Sequence, residues 1–159
     1  MKHSLKTGLS FGLTSAIITT LGLMVGIYSG TRSRFSVLGS ILIIAIADAF
    51  SDSLGVHMSE ESENKHTSRE IWESTLYTFL SKFLFASTFL VPVIIFELEL
   101  AVIISIIWGF LLLILFSFYL AKNEGTSPWK VIFEHVFVAI IVIIATHSVG
   151  LFIRNFLPK

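Results

Sequence analysis

Residues 100–121 read LAVIISIIWGFLLLILFSFYLA and contain no charged side chain. A helix of this length crosses the roughly 30 Å hydrocarbon layer of a bilayer at ~1.5 Å per residue. The apolar residues follow one another without the alternation of a barrel strand, and lipid offers no hydrogen-bond partners to an open backbone. The segment therefore predicts a membrane-spanning α-helix.

Four further stretches of similar length are almost as free of charge. They are residues 7–31, 35–58, 74–96 and 131–153, in which only Asp48, Asp52, Lys82 and Glu134 are charged. The chain is 54% hydrophobic and 14% charged, whereas a soluble domain carries about 25% charged residues. We therefore predict an all-α integral membrane protein in which residues 1–159 form one domain of five transmembrane helices in the lipid bilayer.

The composition excludes several classes of protein. Lys plus Arg and Asp plus Glu each number 11, which gives no reason to expect a nucleic-acid partner. The absence of Cys excludes disulfides, thiolate metal sites and Cys nucleophiles. The first apolar stretch is longer than the ~7–15 residues of a signal-peptide core and lacks an A-x-A cleavage site. No P-loop, dinucleotide fingerprint or nucleophile–base motif occurs, so we expect neither an enzyme nor a tightly bound cofactor.

The basic residues between the helices predict the orientation of the chain. More of them fall on the side of the N-terminus, which the positive-inside rule makes cytoplasmic, and five spans then put the C-terminus on the opposite side. In a prokaryote the membrane would be the plasma (inner) membrane. The inner set is Lys2, Lys6, Lys65, Arg69, Lys122 and Lys130, and the outer set is Arg32, Arg34, Arg154 and Lys159.

Asp48 and Asp52 give the second helix the strongest chemical signal in the chain. Residues four apart project from one helix face, and Ser51 lies within about 60° of it. A charged Asp at the centre of a membrane helix costs on the order of 3 kcal/mol on insertion scales. Two on one face indicate either a bound cation or a protonated carboxyl, and hence a cation or proton route. The alternative is that both carboxylates hydrogen-bond to neighbouring helices for packing.

Other charged and polar residues add to this prediction. Lys82 and Glu134 both fall toward the cytoplasmic side and are predicted to pair or to snorkel. His147 on the fifth helix could relay protons, although a lone membrane His is more often a packing residue. The polar linker of residues 59–73 is acidic and would gather cations at the cytoplasmic mouth, or form an ordinary solvated loop. Its carboxylates are Glu60, Glu61, Glu63, Glu70 and Glu73.

Glycines spaced four apart mark one face of the first helix. Such spacing lets a second helix approach closely. The partner could be a helix of the same chain or the same helix of a second copy in a dimer, and the spacing does not distinguish these alternatives. The residues are Gly8, Gly12, Gly22, Gly26 and Gly30.

Several of these segments carry a family resemblance. The run GLSFGLT at residues 8–14 and the run LGVHMS at 54–59, which leads into Ser62-Glu63, are its most specific parts, and the order of five helices agrees. Weaker matches are Arg69-Glu70, Pro92 and the run HSVG at 147–150. In these runs the chain resembles the vacuolar iron transporter family. That resemblance implies a homodimer that exports Fe²⁺, and often Mn²⁺, from the cytosol in exchange for protons along a path between the subunits.

The chain departs from the family pattern at the metal-binding positions. Phe11 stands where the family has an Asp, Asp52 where it has a Met, and Ile44 near the place of its intramembrane Glu. The family's cytoplasmic metal-binding domain is reduced to one linker. A site without Met would favour a harder ion.

Three hypotheses follow from these observations. The leading one is a divalent cation transporter, for iron or manganese first, in which Asp48, Asp52 and Ser51 bind the ion within the bilayer. The second is a non-transporting membrane interaction or scaffold protein in which Phe11 marks a lost pathway. The third, an intramembrane aspartyl protease, is disfavoured because Asp residues one turn apart on one helix cannot hold a substrate from both sides.

Overall fold

The computed structural model of the chain describes residues 3–156 and is helical almost throughout. Five helical segments, one of which is Ser68–Ile95, are long and apolar enough to cross a membrane, as a multi-pass membrane protein requires. No strand occurs within residues 3–156. Lys2 and Lys159, which entered the predicted orientation, lie outside the described residues. The helices are α1 His3–Thr31, α2 Arg34–Glu63, α3 Ser68–Thr88, α4 Leu90–Ile95, α5 Leu98–Glu124 and α6 Pro128–Phe156.

The third span is broken where the sequence predicts one continuous helix over residues 74–96. Pro92 lacks an N–H group, and its ring clashes with the carbonyl four residues earlier, which belongs to Thr88. Accordingly, α3 ends at Thr88 and α4 begins at Leu90. The N–H of Phe89 turns back to the carbonyl of Ala86 at 3.2 Å.

The sequence predicts that the polar segment of residues 59–73 is a linker. In the structure, most of this segment belongs instead to the ends of two helices, α2 and α3. Asn64, in the left-handed region at φ 52°, ends α2. Thr67 begins α3 with a capping box, in which its hydroxyl accepts from the Glu70 N–H and the Glu70 carboxylate accepts from the Thr67 N–H. These two caps leave only a short turn between the helices.

The central helix of the bundle is α1, which contacts α2, α3, α5 and α6. Leu13, Ile17, Leu21 and Met24 on α1 are almost completely buried and form much of the core. We call the end of the bundle at which α1 begins the His3 end, and the other the Thr31 end.

The glycines of α1 lie against other helices of the same chain. A Cβ atom at Gly12 would stand 2.8 Å from the carbonyl oxygen of Thr78 on α3, and one at Gly8 would stand 2.8 Å from the Thr78 nitrogen. Likewise, Gly22, Gly26 and Gly30 face α6 at Val142, Thr146 and Gly150. Both clusters therefore allow close approach within one chain, which is the first of the two alternatives.

Candidate ion site within the bundle

Three helices meet at a contact between alanines near the middle of the bundle. Ala16 of α1, Ala45 of α2 and Ala86 of α3 are at most 1% exposed and form one small cluster. Because alanine has the smallest side chain that still favours a helix, the three backbones approach closely here. This close approach brings the polar residues beside the alanines within reach of one another.

Lys82 of α3 extends into this junction and meets two carboxylates of α2. Its Nζ lies 2.6 Å from Oδ2 of Asp48 and forms an ion pair with Oδ2 of Asp52. The same ammonium donates to Oγ of Ser15 at 2.7 Å, and Ser15 in turn donates to Oδ2 of Asp52 at 2.7 Å. We call Ser15, Asp48, Asp52 and Lys82 the ion cluster.

The ion cluster lies well inside the apolar part of the bundle. Asp52 is about 16 Å along the helix axis from the end of α2 at Glu63. The Lys82 side chain is 1% exposed, whereas those of Asp48 and Asp52 are 25% and 21% exposed. The ammonium is therefore enclosed by protein, while both carboxylates also reach the outer surface of the single chain.

Two carboxylates and one ammonium leave the ion cluster with one formal negative charge in excess. The contact of Lys82 with Asp48 is close but lacks hydrogen-bond geometry, so Asp48 Oδ2 is buried without a hydrogen-bond donor among residues 3–156. A buried acceptor of this kind is costly. A further proton or cation would therefore compensate the excess negative charge of the cluster.

The position of Lys82 corrects one sequence prediction. Lys82 does not pair with Glu134, which instead lies 4.0 Å from Lys130 on its own helix with 58% of its side chain exposed. The sequence did hold a signal for the observed partner. Lys82 is the single charge in the third apolar stretch and the two Asp residues are the only charges in the second, and opposite charges isolated in lipid are expected to pair.

Ser51 lies apart from the ion cluster. It is exposed on α2 and lines an apolar groove of about 600 Å³ with Phe50, Leu54, His57, Trp72 and Phe79 among its walls. His57 accepts or donates a hydrogen bond at 2.9 Å to the Thr75 hydroxyl there. Instead, Ser15 of α1 supplies the hydroxyl that contacts Asp52.

Four of the five glutamates of the predicted cation-gathering region line two grooves that share His3: Glu60 and Glu63 line one, and Glu70 and Glu73 line the other. Glu61 is exposed, while Glu70 caps α3 and Glu73 accepts from Arg69 at 2.9 Å. Glu60 and Glu63 line a groove of about 350 Å³ at the His3 end. Only these two of the five therefore share a cavity between α1 and α2.

His147 lies in the other half of the bundle from the ion cluster. Its Nδ1 is 2.6 Å from the Ser29 hydroxyl, and Ser29 is about 21 Å along α1 from Ser15. His135 of α6 lies closer in depth, with its Nδ1 2.7 Å from the Ser117 hydroxyl. It shares with Ser15 a groove of about 520 Å³ that Ser10, Thr14 and Thr19 also line.

A metal ion would not meet a ready-made set of protein ligands. Within residues 3–156 no three His, Asp or Glu side chains are grouped so that they could hold a metal ion together. Asp48 and Asp52 could supply two carboxylates only if the Lys82 ammonium withdrew. Any metal ion bound here would complete its coordination with hydroxyl groups or water.

No protein-family model matches this chain, and neither a curated protein nor a solved structure shows significant similarity to it.

Proposed function

We propose that the chain is a membrane transporter of a divalent cation, with Fe²⁺ and Mn²⁺ as the first candidates, and that it exchanges the cation for protons. The observation that carries this proposal is the ion cluster, in which two carboxylates near mid-membrane are held by the ammonium of Lys82. Charged groups are rare at this depth and face either a partner or a transport route. Here Lys82 is the enclosed partner, and the partly exposed carboxylates remain accessible to a second cation.

Lys82 takes the role of a tethered cation in this proposal. When no metal ion is bound, its ammonium stabilises the ionised member of the Asp48–Asp52 pair and prevents an unpaired charge from facing lipid. An arriving divalent ion competes for the same oxygens, and Lys82 withdraws as it loses its proton. The same amine returns when the ion leaves, so the cluster is compensated at every stage.

The charge balance favours an exchange of two protons for one divalent ion. Without metal, one protonated carboxyl, one carboxylate and one ammonium sum to zero. With metal, two carboxylates, one divalent ion and a neutral Lys82 amine also sum to zero. The step releases one proton from the carboxyl and one from the ammonium, so the formal charge of the cluster is the same before and after it.

The donor atoms select the class of ion. Carboxylate and hydroxyl oxygens suit Mn²⁺ and Fe²⁺ better than Cu(I), which prefers sulfur ligands. The resemblance of residues 8–14 and 54–59 to an iron-transporting family points to the same ions, although Phe11 replaces the Asp that the family has there.

We further propose that two copies associate through α2. Asp48 and Asp52 are partly exposed on this helix, and in a single chain they would face lipid at a cost that a second copy removes. Ala47, Ser51 and Gly55 lie one turn apart on the exposed face beside them, and small residues let helices pack closely. The glycines of α1 cannot serve this purpose because helices of the same chain cover them.

A scaffold function is the second candidate, and the burial of Lys82 favours it. An ion cluster that joins α1, α2 and α3 could simply fix their packing. In that case the cluster would never open and no ion would replace Lys82.

A metal-uptake experiment distinguishes the transporter function from the scaffold function. Purified chain in liposomes is given external Mn²⁺, and an internal quenched dye reports its entry. Asp48→Asn and Asp52→Asn are expected to lower the initial rate by at least about tenfold, while Glu99→Gln, an exposed change at the Thr31 end, leaves it unchanged. Circular dichroism checks that each variant is folded. Undiminished uptake in both Asn variants would refute the transport site, whereas no Mn²⁺ entry with the unmodified chain would leave the scaffold function.

A further inference from the structure

A second polar cavity lies between α1 and α2, nearer to the His3 end than the ion cluster. We call it the entry groove. Its volume is about 350 Å³, and its walls include two imidazoles, two carboxylates and two hydroxyls. These groups belong to His3, His66, Glu60, Glu63, Thr7 and Ser59.

Glu60 is the unusual residue of the entry groove. It is 5% exposed, although carboxylates are almost never buried without a partner. One oxygen, Oε1, lies 3.2 Å from Nε2 of His3, but the other, Oε2, is buried and receives no hydrogen bond from any residue among 3–156. One oxygen of this carboxylate therefore has a hydrogen-bond partner, while the other lies beside a polar cavity and lacks a donor.

The surroundings of Glu60 indicate a cation rather than an anion or an apolar ligand. Glu63 adds a second carboxylate to the groove, and the His3 ring stacks on that of His66 with centroids 4.3 Å apart. Imidazole nitrogens and carboxylate oxygens are the ligands of borderline divalent metal ions. Because no three of these groups converge on one point, an ion held here keeps part of its water shell, and a water takes up about 30 Å³.

We infer that the entry groove binds a partly hydrated divalent cation, with Glu60 as its principal carboxylate, before the ion reaches the ion cluster. The binding site itself follows from the groove, while its role as an entry station rests on the proposed function. The entry groove differs from the predicted cation-gathering region of five glutamates because binding depends on one buried carboxylate and on His3. That prediction did not include His3.

Phe11 separates the entry groove from the ion cluster. Its ring lines the groove, and Ser15 of the cluster follows one turn later on the same face of α1. On α2 the groove ends at Gly55, one turn from Asp52. The near edge of the groove therefore lies about one helical turn from the cluster, and an ion at Glu60 lies about 12 Å along α2 from Asp52, with an apolar ring in between.

Mn²⁺ binding tests this inference directly. The full chain, carrying a C-terminal tag without histidine, is placed in phosphatidylcholine nanodiscs, and free Mn²⁺ is measured by electron paramagnetic resonance. Glu60→Gln is expected to weaken Mn²⁺ binding at the tighter site by at least about tenfold, and Glu61→Gln, the same change on the exposed neighbour, by less than about threefold. Asp52→Asn should retain this binding even where it abolishes uptake.

A measurement on the unmodified chain locates the ion independently of any variant. Bound Mn²⁺ should broaden the imidazole NMR signals of His3 and His66 and spare that of His147 at the far half of the bundle. If Glu60→Gln binds Mn²⁺ as the parent does, if Glu61→Gln weakens binding equally, or if His3 is not broadened, the inference is wrong. Loss of binding in Glu60→Gln together with no Mn²⁺ uptake by the unmodified chain would instead overturn the proposed function and keep the entry site.

Discussion

The ammonium of Lys82 lies 2.6 Å from a carboxylate oxygen of Asp48, although the two residues are on different membrane-spanning helices. The same nitrogen also contacts Asp52 and Ser15, so one side chain joins α3 to both α2 and α1. Because Lys82 is fully enclosed, these contacts cannot be exchanged for water. The stability of the helix junction and the chemistry of the ion cluster therefore depend on the same amine.

Replacing Lys82 by Met should destabilise the chain more than replacing either Asp by Asn. The change leaves two carboxylates one turn apart without a cation, and removing one partner of a buried ion pair costs about 3–5 kcal/mol. Partial exposure of both carboxylates places the expected loss at the lower end of this range. Thermal unfolding in nanodiscs, followed by tryptophan fluorescence, measures the midpoint.

A compensating double variant provides the control for this prediction. Lys82→Met combined with Asp52→Asn removes one of the two orphaned carboxylates, so its midpoint should lie above that of Lys82→Met alone. If the double variant is the less stable of the two, Lys82 contributes packing rather than charge compensation.

Gly12→Ala tests the close approach of α1 and α3. The new methyl group would stand 2.8 Å from the Thr78 carbonyl oxygen, and such overpacking costs about 1–3 kcal/mol. Gly39→Ala is the matched control because nothing lies within 4 Å of its Cβ position, and alanine is the better helix former by about 1 kcal/mol. Thermal unfolding should show a lower midpoint for the first variant and an equal or higher one for the second.

The sequence predicted the five spans because a long charge-free stretch is a local property that lipid enforces. It also placed Asp48 and Asp52 on one helix face, since their spacing of four fixes their relative direction. It did not predict Lys82 as their partner, because hydrophobic stretches that are apolar on all sides do not reveal which faces meet. The contact of His3 with Glu60 was missed for the same reason, since 57 residues separate them in the chain.

Metal uptake should not respond to the membrane potential. If two protons leave for each divalent ion that enters, no net charge crosses the bilayer, whereas an uncompensated charge would contribute about 2.3 kcal/mol per 100 mV. Initial Mn²⁺ uptake into potassium-loaded liposomes is compared with and without valinomycin under an outward potassium gradient. Equal rates are expected, and acceleration by the inside-negative potential would mean that Lys82 keeps its proton when the ion binds.

Cysteine cross-linking tests the pairing of two copies through α2. The chain has no native Cys, so a single introduced thiol can form a disulfide only with the same residue of a second copy. Ser51→Cys lies on the exposed small-residue face of α2 and is expected to form a disulfide-linked dimer in membranes treated with copper phenanthroline, because disulfides need Cα atoms within about 7 Å. Ser148→Cys, exposed on α6, should remain monomeric under the same conditions. Dimers formed equally by both variants would reflect random collisions, and dimers formed by Ser148→Cys alone would move the interface to α6 and leave the carboxylates of α2 facing lipid.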